Sequence, residues 1–151
     1  MNLSPRKVNL FLLFKLPSAF FCGVRLKHID SSTAKVSVKH RWINQNPFKS
    51  MYFAVQAMAA ELSTGALVMQ SIQASGKNIS MLVAENSSSF SKKAKGRITF
   101  VCKDGEAISK AIQQTIATKE GQEQWMNVIG TDEAGDEVSR FSFKWTVKVK
   151  S

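Results

Sequence analysis

Residues 44–72 read NQNPFKSMYFAVQAMAAELSTGALVMQSI, and beyond Pro47 the stretch is almost unbroken apolar sequence. A run of about 25 such positions is too long for a strand and reads as a helix. Asn46-Pro47 suits its start, a side-chain cap followed by a residue whose fixed φ fits a first turn. The spacing therefore predicts a helix over 47–72. Gln56, Ser63 and Gln70 recur every seven residues and share one narrow stripe, the face expected to be wet. Glu61 follows Gln56 by five and precedes Ser63 by two. At ~100° per residue it lies roughly 140–200° from that stripe. Its helical neighbours Ala57, Met58, Thr64 and Gly65 bring no cation. A carboxylate kept dry and unpaired is costly to hold ionised, so Glu61 is where chemistry is expected.

The 151 residues, 44% apolar and 21% charged, fit one globular domain over 1–151. The net charge of +10 comes from lysines and arginines running from Arg6 to Lys150, which reads as a mildly basic surface or as part of an anion site. Cys22 and Cys102 sit in apolar surroundings without CxxC spacing and read as reduced thiols. His28 and His40 belong to no HExxH-type pattern, so neither a metal nor a cofactor is expected. Residues 1–23 imitate a secretory signal, with Arg6-Lys7 followed by VNLFLLF, but Lys15 interrupts the apolar run and no clean small-x-small site follows. A retained amphipathic helix over 1–16, ending near Pro17, is the expectation, as is a cytoplasmic protein. Gln56, Glu61, Ser63 and Thr64 break the central run, so no membrane span is predicted.

Strands are predicted on both sides of the central helix. Cys22–Ile29 and Ala34–Arg41 alternate around the turn Asp30-Ser31-Ser32-Thr33. Ile79–Phe90 leads to the basic segment Lys92-Lys93-Ala94-Lys95-Gly96-Arg97, from which Ile98–Lys103 is expected to return as a hairpin. Asp104 should cap a second helix over 105–119, with Ile108, Ala111, Ile112, Thr115 and Ile116 as its apolar stripe. Glu123–Gly130 and Glu137–Val149 close the chain around a turn at 132–136. The pattern is α+β: an antiparallel sheet of about six strands, curled round one long helix.

Asn46, then Glu61 within AAELSTG, then Gly65, together with SFSKKAKGRI and DEAGDEVSRFSFKWTVKV, resemble the hotdog-fold acyl-CoA thioesterase superfamily. The closest likeness is to an uncharacterised sub-branch of the phenylacetate-pathway and hydroxybenzoyl-CoA enzymes, and it covers roughly residues 16–150. It implies that Glu61 attacks a thioester or activates water, that the backbone N–H of Phe53 polarises the carbonyl, and that the Asn46 amide assists. It further implies Ser50, Tyr52, Ala54, Thr64 and Gly65 against the substrate. The basic residues Lys92, Lys93, Lys95 and Arg97 read either as a site for coenzyme A phosphates, with Lys49 as a further candidate, or as a solvated hairpin tip. The partner is then an acyl-CoA or acyl carrier thioester, and the assembly a homodimer or a tetramer of dimers. Relatives often carry His-Gly-Gly where this chain has Tyr52-Phe53-Ala54. That departure keeps a second reading in play, a non-catalytic acyl-thioester or lipid binder. A hotdog hydratase is disfavoured, because Asn44 and Lys49 replace the acid and the histidine it requires. A nucleic-acid binder, prompted by the charge, lacks a basic stripe interleaved with exposed aromatics.

Overall fold

The computed structural model describes residues 3–151. In order, the chain forms α1 (Pro5–Lys15), α2 (Pro17–Phe21), β1 (Arg25–Ile29), β2 (Ala34–Lys39), α3 (Phe53–Ser75), β3 (Ile79–Phe90), β4 (Arg97–Cys102), α4 (Gly105–Thr118), β5 (Gln122–Thr131) and β6 (Glu137–Val149). A short 3-10 turn, Trp42–Asn44, lies between β2 and α3. The six strands make one antiparallel sheet in the order β1-β2-β4-β5-β6-β3. It wraps α3, giving the hotdog architecture.

The alternation of β6 is what seats the sheet on the helix. Phe141, Phe143, Trp145 and Val147 are buried, while Ser142, Lys144, Thr146 and Lys148 lie on the other face. From α3, Val55, Ala59, Leu62, Ala66 and Leu67 enter the same core, joined by Ile98 and Phe100 of β4 and Ile108 and Ile112 of α4. Each large side chain so buried contributes about 1.5–3 kcal/mol.

Four expectations need correction. The central helix begins at Phe53, not Pro47, and runs to Ser75. Asn46 does not cap it; its Oδ1 accepts from the N–H of Phe48 at 2.9 Å and of Ser50 at 3.2 Å, closing a side-chain turn with Lys49 at φ 60°. The stripe of Gln56, Ser63 and Gln70 is not wet: Gln56 and Ser63 are buried, and Gln70 donates to the Asp30 carbonyl at 2.6 Å. Nor do β3 and β4 form a hairpin. β3 pairs with β6, and β4 with β2 and β5, so residues 91–96 cross from one side of the sheet to the other.

At the ends of the other helices the expectations hold in outline. α1 stops before Pro17, and α4 ends at Lys119, whose left-handed backbone (φ 65°) closes it. Asp104 occupies the N-cap position of α4, but its carboxylate accepts instead from the Asn127 N–H at 2.7 Å, linking α4 to β5.

Candidate functional site

Two neighbourhoods of α3 carry the predicted residues. The first is the mouth of the helix. Phe53 and Ala54 occupy its first positions, where a backbone N–H has no intrahelical acceptor, and Tyr52 before them supplies no side-chain cap. A cleft of about 590 Å³ opens here, framed by Asn46, Ser50, Tyr52 and Phe53 on one side and by Phe90, Lys92 and Lys93 on the other. Its wall is aromatic, with Tyr52 edge-on to Phe53 at 5.1 Å and Phe53 edge-on to Phe90 at 6.3 Å. Ser50 is buried and bound to Asn46, whose amide nitrogen donates to Ser50 Oγ at 3.0 Å and to the Met51 carbonyl at 3.4 Å. The Asn46 side chain is thus spent on holding the loop 46–51 at the mouth.

Gln56 also lines this cleft. It is 4% exposed, and its Oε1 is buried without a hydrogen-bond partner among the described residues. An unmet acceptor in a cleft wall is an invitation to a ligand donor. Gln56 falls on the stripe expected to be wet, but a seven-residue polar repeat inside an otherwise apolar helix is equally the pattern of polar groups facing a cavity.

The second neighbourhood is two turns further along. Glu61 is half-buried, and desolvation holds its carboxyl above the ordinary carboxylate range. Among the described residues it takes part in no ion pair. Its Oε1 lies beside the buried Gly65, close to the edge of the Trp145 ring: a Cβ on that glycine would meet Oε1 at 3.5 Å and Trp145 Cζ2 at 3.4 Å. Thr64 is fully buried and faces Trp145. Trp145, read from the sequence simply as core, proves to be a wall of the carboxylate's surroundings.

Phe53 and Glu61 are eight residues apart, about 12 Å along the helix axis. Within one chain the free N–H groups and the carboxylate therefore cannot bracket a single small reacting group.

The basic segment divides. Lys92 and Lys93 border the aromatic cleft. Lys92 already donates to Asp132 at 2.6 Å and Asp136 at 2.8 Å, which raises its ammonium above the usual lysine range. Lys95 is exposed. Arg97 belongs to a different depression, shared with Arg25, Lys27, Lys39 and Arg41. Cys102 is buried, its thiol pushed up to about 12 by desolvation, and it is inert by that measure. His28 pairs with Asp30 at the surface at 2.8 Å, and His40 follows β2. Among the described residues no cluster of three metal-ligating side chains occurs, and no helix is long and apolar enough to cross a membrane.

A curled six-stranded sheet around one helix, with a lone carboxylate on that helix and free N–H groups at its start, defines a hotdog-fold protein. Residues 5–147 match the family described as a domain of unknown function (DUF4442), and this chain belongs to that family. The fold is shared with PA5026 of Pseudomonas aeruginosa, a protein of unknown function described as a probable thioesterase, at 23% identity and a TM-score of 0.83 over 99% of both chains. A protein of unknown function from Chlorobaculum tepidum is similar at 15% identity and 0.82, again over 99% of both chains. Thioesterase HI1161 of Haemophilus influenzae is similar at 8% identity and 0.72, over 99% of this chain and 93% of that one. No curated protein sequence matches the chain.

Proposed function

We propose that this protein hydrolyses acyl thioesters, with Glu61 as the nucleophile or general base. The observation that carries the reading is the half-buried Glu61 carboxyl of α3, outside any ion pair among the described residues and pushed upward by desolvation. A group so held is a stronger base than a solvated carboxylate, and an indole and a glycine lie beside it rather than a cation. The free N–H groups of Phe53 and Ala54 would stabilise the oxyanion that forms as the carbonyl is attacked.

The separation of about 12 Å between those two groups supports a working unit of two copies. In that unit Glu61 of one copy meets the helix mouth of the other. β3 supports the same reading, since among the described residues its outer edge carries no neighbouring strand. The aromatic cleft would take the acyl chain, and Gln56 Oε1 would accept a hydrogen bond from the pantetheine amide of a coenzyme A or acyl carrier substrate. Lys93 and Lys95, the basic-segment lysines with no carboxylate partner among the described residues, would meet phosphate. Asn46 serves by fixing the loop at the mouth.

A second reading has its own observation. Tyr52 and Phe53 are both exposed and crowd the helix start, which favours an acyl group clasped without cleavage. Thiol release from short, long and aromatic acyl-CoAs separates the two. Hydrolysis predicts turnover that Glu61→Gln abolishes; tight binding without turnover in both proteins supports the non-catalytic reading.

A further inference from the structure

The positive charge of this chain is segregated. Residues 1–60 hold nine lysines and arginines against a single acid, Asp30, so eight of the ten net charges lie in that part. Four of the nine, Arg25, Lys27, Lys39 and Arg41, gather near the margin of the sheet at β1. Asn9 of α1 pairs with the main chain of Leu26, donating to its carbonyl at 3.0 Å and accepting from its N–H at 2.8 Å. The Arg25 guanidinium lies 3.7 Å over the Phe20 ring and donates to the carbonyls of Phe20 and Val24. The Asn44 amide donates to the Cys22 carbonyl at 2.9 Å, which draws the turn Trp42–Asn44 against the end of α2. Gly23, at φ +90°, leaves room for the Arg41 guanidinium to lie on its backbone. These links join α1, α2, β1 and the turn into one continuous surface.

Two features of this surface lack an account. One is the depression holding Arg25, Lys27, Lys39, Arg41 and Arg97, about 270 Å³, with no carboxylate of the described residues within ion-pair distance of any of the five. The other is a set of protruding apolar side chains: Leu10 and Phe14 on the outer side of α1, Phe21 at the end of α2, and Trp42 and Ile43 on the turn. Phe14 is 71% exposed and Trp42 83%. Leu10 and Phe14 stand four residues apart, opposite the buried Val8 and Leu12, so α1 is apolar on both sides.

We propose that this face docks on a bilayer surface carrying anionic phospholipid, with Phe14, Phe21 and Trp42 entering the interface and the five-cation depression meeting lipid phosphates. Charge complementarity selects the occupant. A second copy would bring an equally cationic face and be repelled. A nucleic acid would satisfy the cations, and the exposed Phe14, Phe21 and Trp42 correct the expectation that exposed aromatics are missing beside the basic residues. Leu10 and Ile43, however, offer a base no stacking face, whereas a bilayer accommodates aliphatic and aromatic side chains alike beside lysine and arginine. The proposed attachment is peripheral: it rests on side chains at the interface, and among the described residues no helix is long and apolar enough to cross a membrane.

The test is flotation of the full chain with vesicles of phosphatidylcholine alone or enriched in phosphatidylglycerol, at low and high salt, with brominated acyl chains to quench Trp42 (read as the difference from Trp42→Phe). Expected is binding at least about tenfold tighter to the anionic vesicles, loss of that advantage in high salt, and quenching of Trp42. Phe14→Ser with Phe21→Ser, and separately Lys27→Glu with Lys39→Glu, should each weaken partitioning about tenfold while unfolding curves stay unchanged. Quenching in the wild-type chain stands whether or not those variants fold. The proposal is overturned by absence of flotation at low salt. It is equally overturned by binding that ignores the Phe pair and is competed by RNA, or by a dimer that the Phe pair dissolves without any lipid binding.

Discussion

Trp145 Nε1 donates to Thr64 Oγ1 at 2.8 Å, and the same hydroxyl donates to the Glu61 carbonyl oxygen at 2.8 Å. The last strand of the sheet is thereby tied to the turn of α3 that carries the carboxylate. Trp145→Phe keeps an aromatic ring in the core but removes the donor, and should cost about 1 kcal/mol from the lost hydrogen bond, plus the volume left empty. In a double-mutant cycle with Thr64→Val, urea unfolding should return a coupling of roughly 0.5–3 kcal/mol. A coupling near zero would mean the bond contributes nothing to stability.

Glu61 gives stability a pH dependence of definite sign. Its carboxyl titrates above the ordinary value of 4.5 because burial penalises the ionised form. Between those two values the native chain holds a proton that the unfolded chain has released, so stability falls as pH rises through that window and stays reduced above it. Glu61→Gln should therefore be more stable than wild type at pH 7 and equal to it below pH ~4. Turnover should rise with pH, with its midpoint above the ordinary carboxylate value. Thermal melts of both proteins across this range check the first point, and a pH–rate profile the second.

Site sharing between copies can be tested with Phe53→Pro. Tyr52 has φ −60° and ψ 135°, a conformation that tolerates a following proline, and proline suits the first helical position. The substitution removes the Phe53 N–H at little structural cost. Loss of one oxyanion donor should lower kcat about 10²–10³-fold, with Phe53→Ala as the control for the missing ring. Mixed pairs of Phe53→Pro and Glu61→Gln should recover about half of wild-type activity, because one of the two shared sites is then intact. Sites built within one chain would leave the mixed pairs inactive.

Two glycines should respond in opposite ways. A Cβ at Gly65 would sit in ordinary contact with Trp145 and Glu61, so Gly65→Ala should gain up to about 1 kcal/mol of helix stability while Gly65→Leu displaces the carboxylate and lowers turnover. At Gly105 a Cβ would fall on the backbone of Ser31 and Ser32, where Gly105 N–H already donates to the Ser32 carbonyl at 3.0 Å. Gly105→Ala should cost about 1–3 kcal/mol by overpacking. Circular-dichroism melts of the two alanine variants suffice.

The parts legible in the sequence were those whose pattern is periodic and local. The strict alternation of Phe141–Val149 and the stripe Ile108–Ile116 each specify one buried face and were read correctly. What misled were side chains with more than one local partner. Asn46 before Pro47 has the chemistry of a helix cap, yet the same oxygen closes a turn, and the helix waits until Phe53. Strand partners were legible only for neighbours in sequence: β1 with β2 and β5 with β6 pair across short turns, whereas the β3–β6 pairing spans the rest of the domain. Glu61 carries no ion pair among the described residues, but the ground for expecting it dry does not hold: the stripe it was placed opposite is itself buried at Gln56 and Ser63. The position of Trp145 beside it depends on register across 81 residues, which no local pattern encodes.

Asn9 plugs the margin of the sheet at Leu26 of β1, so among the described residues the vacant seam is the outer edge of β3. Any joining of copies seam to seam consumes both vacancies in a single event, so such growth terminates at a pair and never propagates into a fibre.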